Sequence, residues 1–76
     1  MMKINDLIYN SEFSFNVKYR IYQYVQDEDP LIEGELILMY DSETDMEPRN
    51  FEEDIIAINQ SEDGYVEIEY IWQKRE

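Results

Sequence analysis

Phe13-Ser14-Phe15-Asn16-Val17-Lys18-Tyr19-Arg20-Ile21 is the stretch on which the reading of this chain turns. Large apolar side chains alternate with polar ones throughout it, a period of two that would gather Phe13, Phe15, Val17, Tyr19 and Ile21 on one face of a β-strand. Tyr22 and Tyr24 continue on the opposite face, which calls for a bulge near Gln23 or a second face that is also partly apolar. A strand is therefore expected over about residues 13–24.

Downstream, Gln26-Asp27-Glu28-Asp29-Pro30 reads as a polar, proline-closed turn, and Pro30 forces Asp29 into an extended conformation. A second strand follows at about 31–40. In it Ile32, Gly34, Leu36, Leu38 and Tyr40 share one face, and Glu33, Glu35, Ile37 and Met39 the other. Gly34 on the inner face implies a bulge or a large neighbour packed over it. The short connection makes these two strands an antiparallel hairpin. Asp41–Asn50, rich in Asp, Ser, Glu and Thr, is read as a mobile loop.

Phe51–Gln60 admits two readings. Asn50 with Glu53 forms an N-cap pattern suited to a short helix, whereas Ile55, Ile56 and Ile58 prefer a strand. The strand, at about 54–60, is favoured because Ser61-Glu62-Asp63-Gly64 is a turn and residues 65–72 alternate cleanly after it. In that last strand Val66, Ile68, Tyr70 and Trp72 face one way, and Tyr65, Glu67, Glu69 and Ile71 the other. Gln73-Lys74-Arg75-Glu76 is read as a frayed tail.

Upstream, Ile4, Leu7 and Ile8 fall at helical spacing behind an Asn5-Asp6 opening turn, so residues 3–9 form a short helix that must dock to persist, and Asn10-Ser11 ends it. The fold class expected is α+β: a short N-terminal helix, then a four-stranded antiparallel sheet built from two hairpins, in one domain spanning 1–76. The expected core is Phe13, Phe15, Val17, Tyr19, Ile21, Leu36, Leu38, Ile56, Ile58, Val66, Ile68 and Tyr70, with Leu7 and Ile8 packed over it. One short helix cannot cover so much apolar surface, which leaves part of it for the acidic loop, for curling of the sheet or for a second copy of the chain.

Composition bounds the function. With no Cys and no His among 76 residues, thiol and imidazole catalysis and the usual zinc sites are excluded. Nineteen acidic against six basic side chains give a net charge of −13. Ten isoleucines, seven tyrosines, three phenylalanines and one tryptophan in periodic positions argue for a folded chain rather than a disordered one. No apolar run approaches the length of a membrane span and no secretory segment is evident, so a cytoplasmic location without membrane contact is the expectation, and Asn59-Gln60-Ser61 carries no glycosylation reading there.

Glu33/Glu35 and Glu67/Glu69 lie at i, i+2 on strands and so project from one face in each pair; neighbouring strands would make a patch of four carboxylates. Such a patch is either the solvated side of an amphipathic sheet or an imitation of a phosphate backbone. Tyr22, Tyr24 and Tyr65, placed on the same outer face, offer large contact area at low entropic cost. Together these seven residues are the candidate interaction surface. The alternating acids from Asp41 to Glu47 fail the calcium-loop pattern, which wants Gly where Met46 stands. No pair of carboxylates stands out for acid–base work, so no catalytic residue, cofactor or metal site is assigned and no enzymatic activity is expected.

Ile4-Asn5-Asp6-Leu7-Ile8 resembles the opening of the small acidic anti-CRISPR inhibitors of Cas9, which act as DNA mimics. That likeness covers five residues and brings no binding residues with it. The Ile-, Tyr-, Asn- and Glu-rich composition is similar to that of small acidic proteins of low-GC bacteria and their phages or mobile elements. Two functions are thus in contention: an acidic protein-interaction module, self-associating or bound to a basic partner, and a DNA mimic that occupies the basic groove of a nucleic-acid-binding protein. Neither binds nucleic acid directly.

The charge also makes a thermodynamic prediction. Self-repulsion in the compact state should relax as salt screens it, so raising ionic strength should raise the melting temperature. A gain of about 1 kcal/mol would appear as a rise of about 4–8 °C for a chain of this size. Thermal unfolding followed by circular dichroism at low and high sodium chloride checks it, and a flat profile would contradict it.

Overall fold

A computed structural model describes residues 2–45 and 50–72. The elements in order are α1 (Ile4–Ile8), α2 (Ser11–Asn16), β1 (Tyr19–Val25), β2 (Glu35–Asp41), β3 (Ala57–Gln60) and β4 (Val66–Ile71). The α+β class holds.

The first correction concerns the stretch quoted above. Only its last three residues, from Tyr19 on, are strand; Ser11–Asn16 is a helix. Asn10, read as the end of α1, is the N-cap of α2: its side-chain oxygen accepts from the backbone N–H of Glu12 at 3.0 Å and of Phe13 at 3.4 Å. The side-chain amide of Asn16 closes the other end by donating to the Glu12 carbonyl at 2.8 Å. Phe13 packs against the core, while Phe15, two residues on, is 86% exposed. Alternation in sequence was sampled here at helical geometry, so it separated the two rings instead of aligning them.

The second correction concerns the sheet, which is mixed rather than purely antiparallel. Its order is β2-β1-β4-β3, with β1 and β4 parallel at the centre. β1 pairs with β2 antiparallel, as β3 does with β4. The residues between β2 and β3 are long enough to return along the sheet, so both strands set out in the same direction from opposite edges. That crossing segment is pinned to the N-terminus. Ile4 N–H donates to the Glu53 carbonyl and Asn5 N–H to the Phe51 carbonyl, both at 3.0 Å, and Phe51 N–H donates to the Asn5 side chain at 2.8 Å. Ile55 N–H reaches the Met2 carbonyl at 3.0 Å. These bonds take residues that would have begun a longer third strand, so β3 spans Ala57–Gln60 instead of 54–60.

The core comprises Ile4, Ile8, Tyr19, Ile21, Tyr40, Phe51, Ile68 and Tyr70, with Leu7, Phe13, Met39, Ile55 and Val66 packed against it. Five rings form a continuous series through it: Phe13–Tyr19, Tyr19–Tyr40, Tyr40–Phe51 and Phe51–Tyr70, with centroids 5.4, 5.9, 6.4 and 6.0 Å apart. Leu36, Leu38, Ile56 and Ile58, expected inside, are exposed. Ile56 and Ile58 lie along the outer edge, where neither helix reaches. Leu36 and Leu38 are turned over by a bulge in β2. Ile21 pairs with Tyr40 but Tyr22 with Leu38, so Met39 is the extra residue. Met39 and Tyr40 both turn to the core, and the residues before them fall on the opposite face from the one that simple alternation assigns.

Residues 46–49 of the expected mobile loop, and the expected frayed tail at 73–76, lie outside the described residues. Asp41–Asp45 is a closed turn: Asp45 N–H donates to the Asp41 carbonyl at 2.9 Å, and Asp41 N–H to the Asp45 carboxylate at 2.7 Å. At Gly34 the expected large neighbour is present, but it is Tyr24 of the outer face and not a side chain of the core. A Cβ there would stand 2.5 Å from Cζ and Oη of Tyr24 and 2.7 Å from the Val25 carbonyl oxygen. The Tyr24 ring lies where a side chain would be.

Two stability predictions follow from this packing. Ile68→Ala should cost about 2–5 kcal/mol and Ile58→Ala under about 1, since only the first opens a cavity. Gly34→Ala should cost about 1–3 kcal/mol by forcing Tyr24 or the backbone aside. Urea denaturation of the three variants measures each, and equal losses at Ile58 and Ile68 would contradict the assigned core.

Candidate interaction surface

The face of the sheet away from the helices has no covering layer among the described residues. Cross-strand partners share a face, so the register assigns its occupants: Tyr22 stands between Leu38 and Glu69, and Tyr24 between Leu36 and Ile71. Glu67 lies opposite Arg20, and Ala57 and Asn59 of β3 border Glu69 and Glu67. Leu36, Leu38 and Ile71 are 48%, 50% and 40% exposed, and both tyrosines are half-buried. The turn before β2 carries Leu31 and Ile32, also exposed, at the same end of the sheet.

Tyr22, Tyr24, Glu67 and Glu69 therefore occur together, as the sequence implied. Glu33 and Glu35 do not join them. Glu33 precedes β2, and Glu35 pairs with Val25, which places it on the helix-side face. β1 also separates β2 from β4. The expected patch of four carboxylates is consequently not formed; two acids remain on the face, and the Glu69 carboxylate accepts from the Asn59 side-chain amide at 3.0 Å.

Tyr65 is on the face but is capped by cations. The Arg20 guanidinium lies 3.6 Å from its ring centroid and the Lys18 ammonium 4.6 Å. Arg20 also binds Asp41 at 3.2 Å and Asp63 at 3.1 Å. Burial works to lower the Arg20 pKa, but its hydrogen bonds to Asp41 and Asp63 outweigh that and raise it. Asp63 is held below the usual carboxylate range, chiefly by the Ser61 hydroxyl and then by Arg20. The surface thus grades from ionic, around Arg20, to apolar, around Tyr24. Burial pushes the Tyr22 phenol upward, and the charge of Glu67 adds to this against the pull of Arg20.

The residues that sequence reasoning missed are Leu36 and Leu38. β2 is apolar at consecutive positions from Leu36 to Met39, so no polar alternation marked which face was which. Comparison with family models, with curated proteins and with solved structures gives no match. No helix of the described residues is long and apolar enough to cross a membrane.

Beneath this face, burial raises the Tyr19 phenol from 10.0 to about 12, with the neighbouring Tyr40 adding to the shift. The folded state holds this proton more tightly than the unfolded chain, so the stability it contributes is whole below pH 10.0 and is lost as pH rises toward about 12. Wild type should accordingly lose more stability than Tyr19→Phe across that interval. Denaturant titrations at stepped pH, with tyrosinate absorbance recorded alongside, check this; parallel losses would contradict it.

Proposed function

We propose that the chain is a small acidic protein-interaction module whose outer sheet face docks a partner segment bearing apolar and basic side chains. One observation carries the reading: exposed Leu36, Leu38 and Ile71 converge on Tyr22 and Tyr24, with Glu67 and Glu69 alongside. Soluble monomers rarely leave contiguous apolar area of this kind without a use, and tyrosine is enriched at the centres of interfaces. The charge of −13 steers cationic partners toward the face and disfavours nucleic acid. It also opposes a second copy of the chain, which would bring the same charge to the same surface. The DNA-mimic reading keeps the net charge as its support but lacks the carboxylate array, since Glu35 pairs with Val25 on the helix-side face and Glu33 precedes the strand.

The test is affinity capture with the wild-type chain, a Leu36→Ser/Leu38→Ser variant and a Phe15→Ser control, all altered at exposed positions where folding should change by no more than about 0.5 kcal/mol. A partner retained by wild type and by the control but lost by the double variant is the expected result. Retention by the double variant would overturn the proposal. Release by added duplex DNA would instead favour the mimic, and concentration-dependent sedimentation abolished by the double variant would make a second copy the occupant.

A further inference from the structure

We infer that the free edge of β2 accepts an extended segment of the partner as a fifth strand, one with alternating apolar side chains and cations at both ends. This rests on the docking reading above and specifies the form of the ligand. β2 is an edge strand, with β1 on one side of it. Hydrogen bonds to β1 settle which of its backbone groups face outward. The Tyr19 carbonyl accepts from Ser42 N–H at 3.0 Å and Tyr19 N–H donates to the Ser42 hydroxyl at 2.8 Å, so odd-numbered residues of β1 turn toward β2. The Lys18 and Tyr24 carbonyls accept from Val66 and Trp72 on the other side. Ile37 and Glu35 pair with Gln23 and Val25 and must turn inward, which leaves the N–H and C=O groups of Leu36 and Leu38 directed away from the sheet.

Natural edges are blunted by lysine, proline or cover. Glu35–Asp41 has no lysine and no proline, and the bulge at Met39 falls after the outward-facing pair rather than within it. An added strand would lay side chains beside Leu36 and Leu38 on the outer face, extending the apolar surface already there. Its ends would meet acids: Glu33 and Glu35 at one end of β2, Glu43 and Asp45 just past the other. At the Asp41 end Arg20 is engaged by Asp41 and Asp63, and Lys18 by the Tyr65 ring. Cationic ends are thus complementary, whereas a second copy of β2 would bring acids against acids.

The probe is the synthetic peptide Lys-Lys-Val-Thr-Leu-Thr-Val-Lys-Lys, titrated into the full chain with amide hydrogen exchange read by NMR. Binding tighter than about 1 mM is expected, weakening as salt rises, with exchange slowed at Leu36 and Leu38 but not further at Ile37. Leu36→Pro removes the outward N–H and should weaken binding about tenfold or more, whereas Leu36→Ala keeps the donor and should cost less. N-methylation of the peptide at alternate residues should abolish binding with the protein itself unaltered. No binding, or binding indifferent to both Leu36→Pro and N-methylation, overturns the added strand. The docking reading fails differently, by retention of the partner on the Leu36→Ser/Leu38→Ser variant.

Discussion

Ile21 against Ile68 is the contact on which the molecule depends. The two face each other across the parallel β1–β4 pair and are wholly buried, as is Ile4 of α1 above them. Each buried isoleucine contributes on the order of 1.5–3 kcal/mol, and a chain this short has few of them. The antiparallel neighbours are added at either side of this contact, and the ring series from Phe13 to Tyr70 extends it over the helix-side face. The same contact lies at the centre of the sheet, where β4 runs beside β1 and its Ile68 is buried with Ile21 and Ile4.

Such a centre covers one face only. Two short helices and the crossing segment around Phe51 shield the sheet from one side, and among the described residues no element covers the other. The outer face is consequently left to side chains that tolerate partial exposure, tyrosines and glutamates on the inner strands and leucines on the β2 edge. The bulge at Met39 links the two faces: it sends Met39 and Tyr40 into the core, and in doing so sends Leu36 and Leu38 outward. Packing and surface are thus set by one irregularity in one strand.

Electrostatics organises the opposite end of the sheet. In a chain with six basic residues, Arg20 serves two carboxylates and a tyrosine ring at once, joining β1, the end of β2 and the turn before β4. Lys18 shares the same ring. The cations of this region, Arg20 and Lys18, are committed to holding the fold.

The sequence by itself determined the class, the position of α1, the turns at Asp29–Pro30 and Asp63–Gly64, and the shared face of Tyr22 with Tyr24 in β1 and of Glu67 with Glu69 in β4, because each follows from local periodicity or turn chemistry. It also marked Gly34 as a site of close approach. Three things were decided only by tertiary structure. The period of two through Phe13–Val17 yielded to a helix once Asn10 capped it; the register slip at Met39 had no trace in a strand apolar at consecutive positions; and parallel pairing of β1 with β4 depended on where the crossing segment, tied to the N-terminus, delivered β3. Local pattern fixes which side of a strand a residue takes. Which strand lies beside it, and where a ladder slips, is settled by contacts between residues far apart in the chain, whose energies no single segment contains.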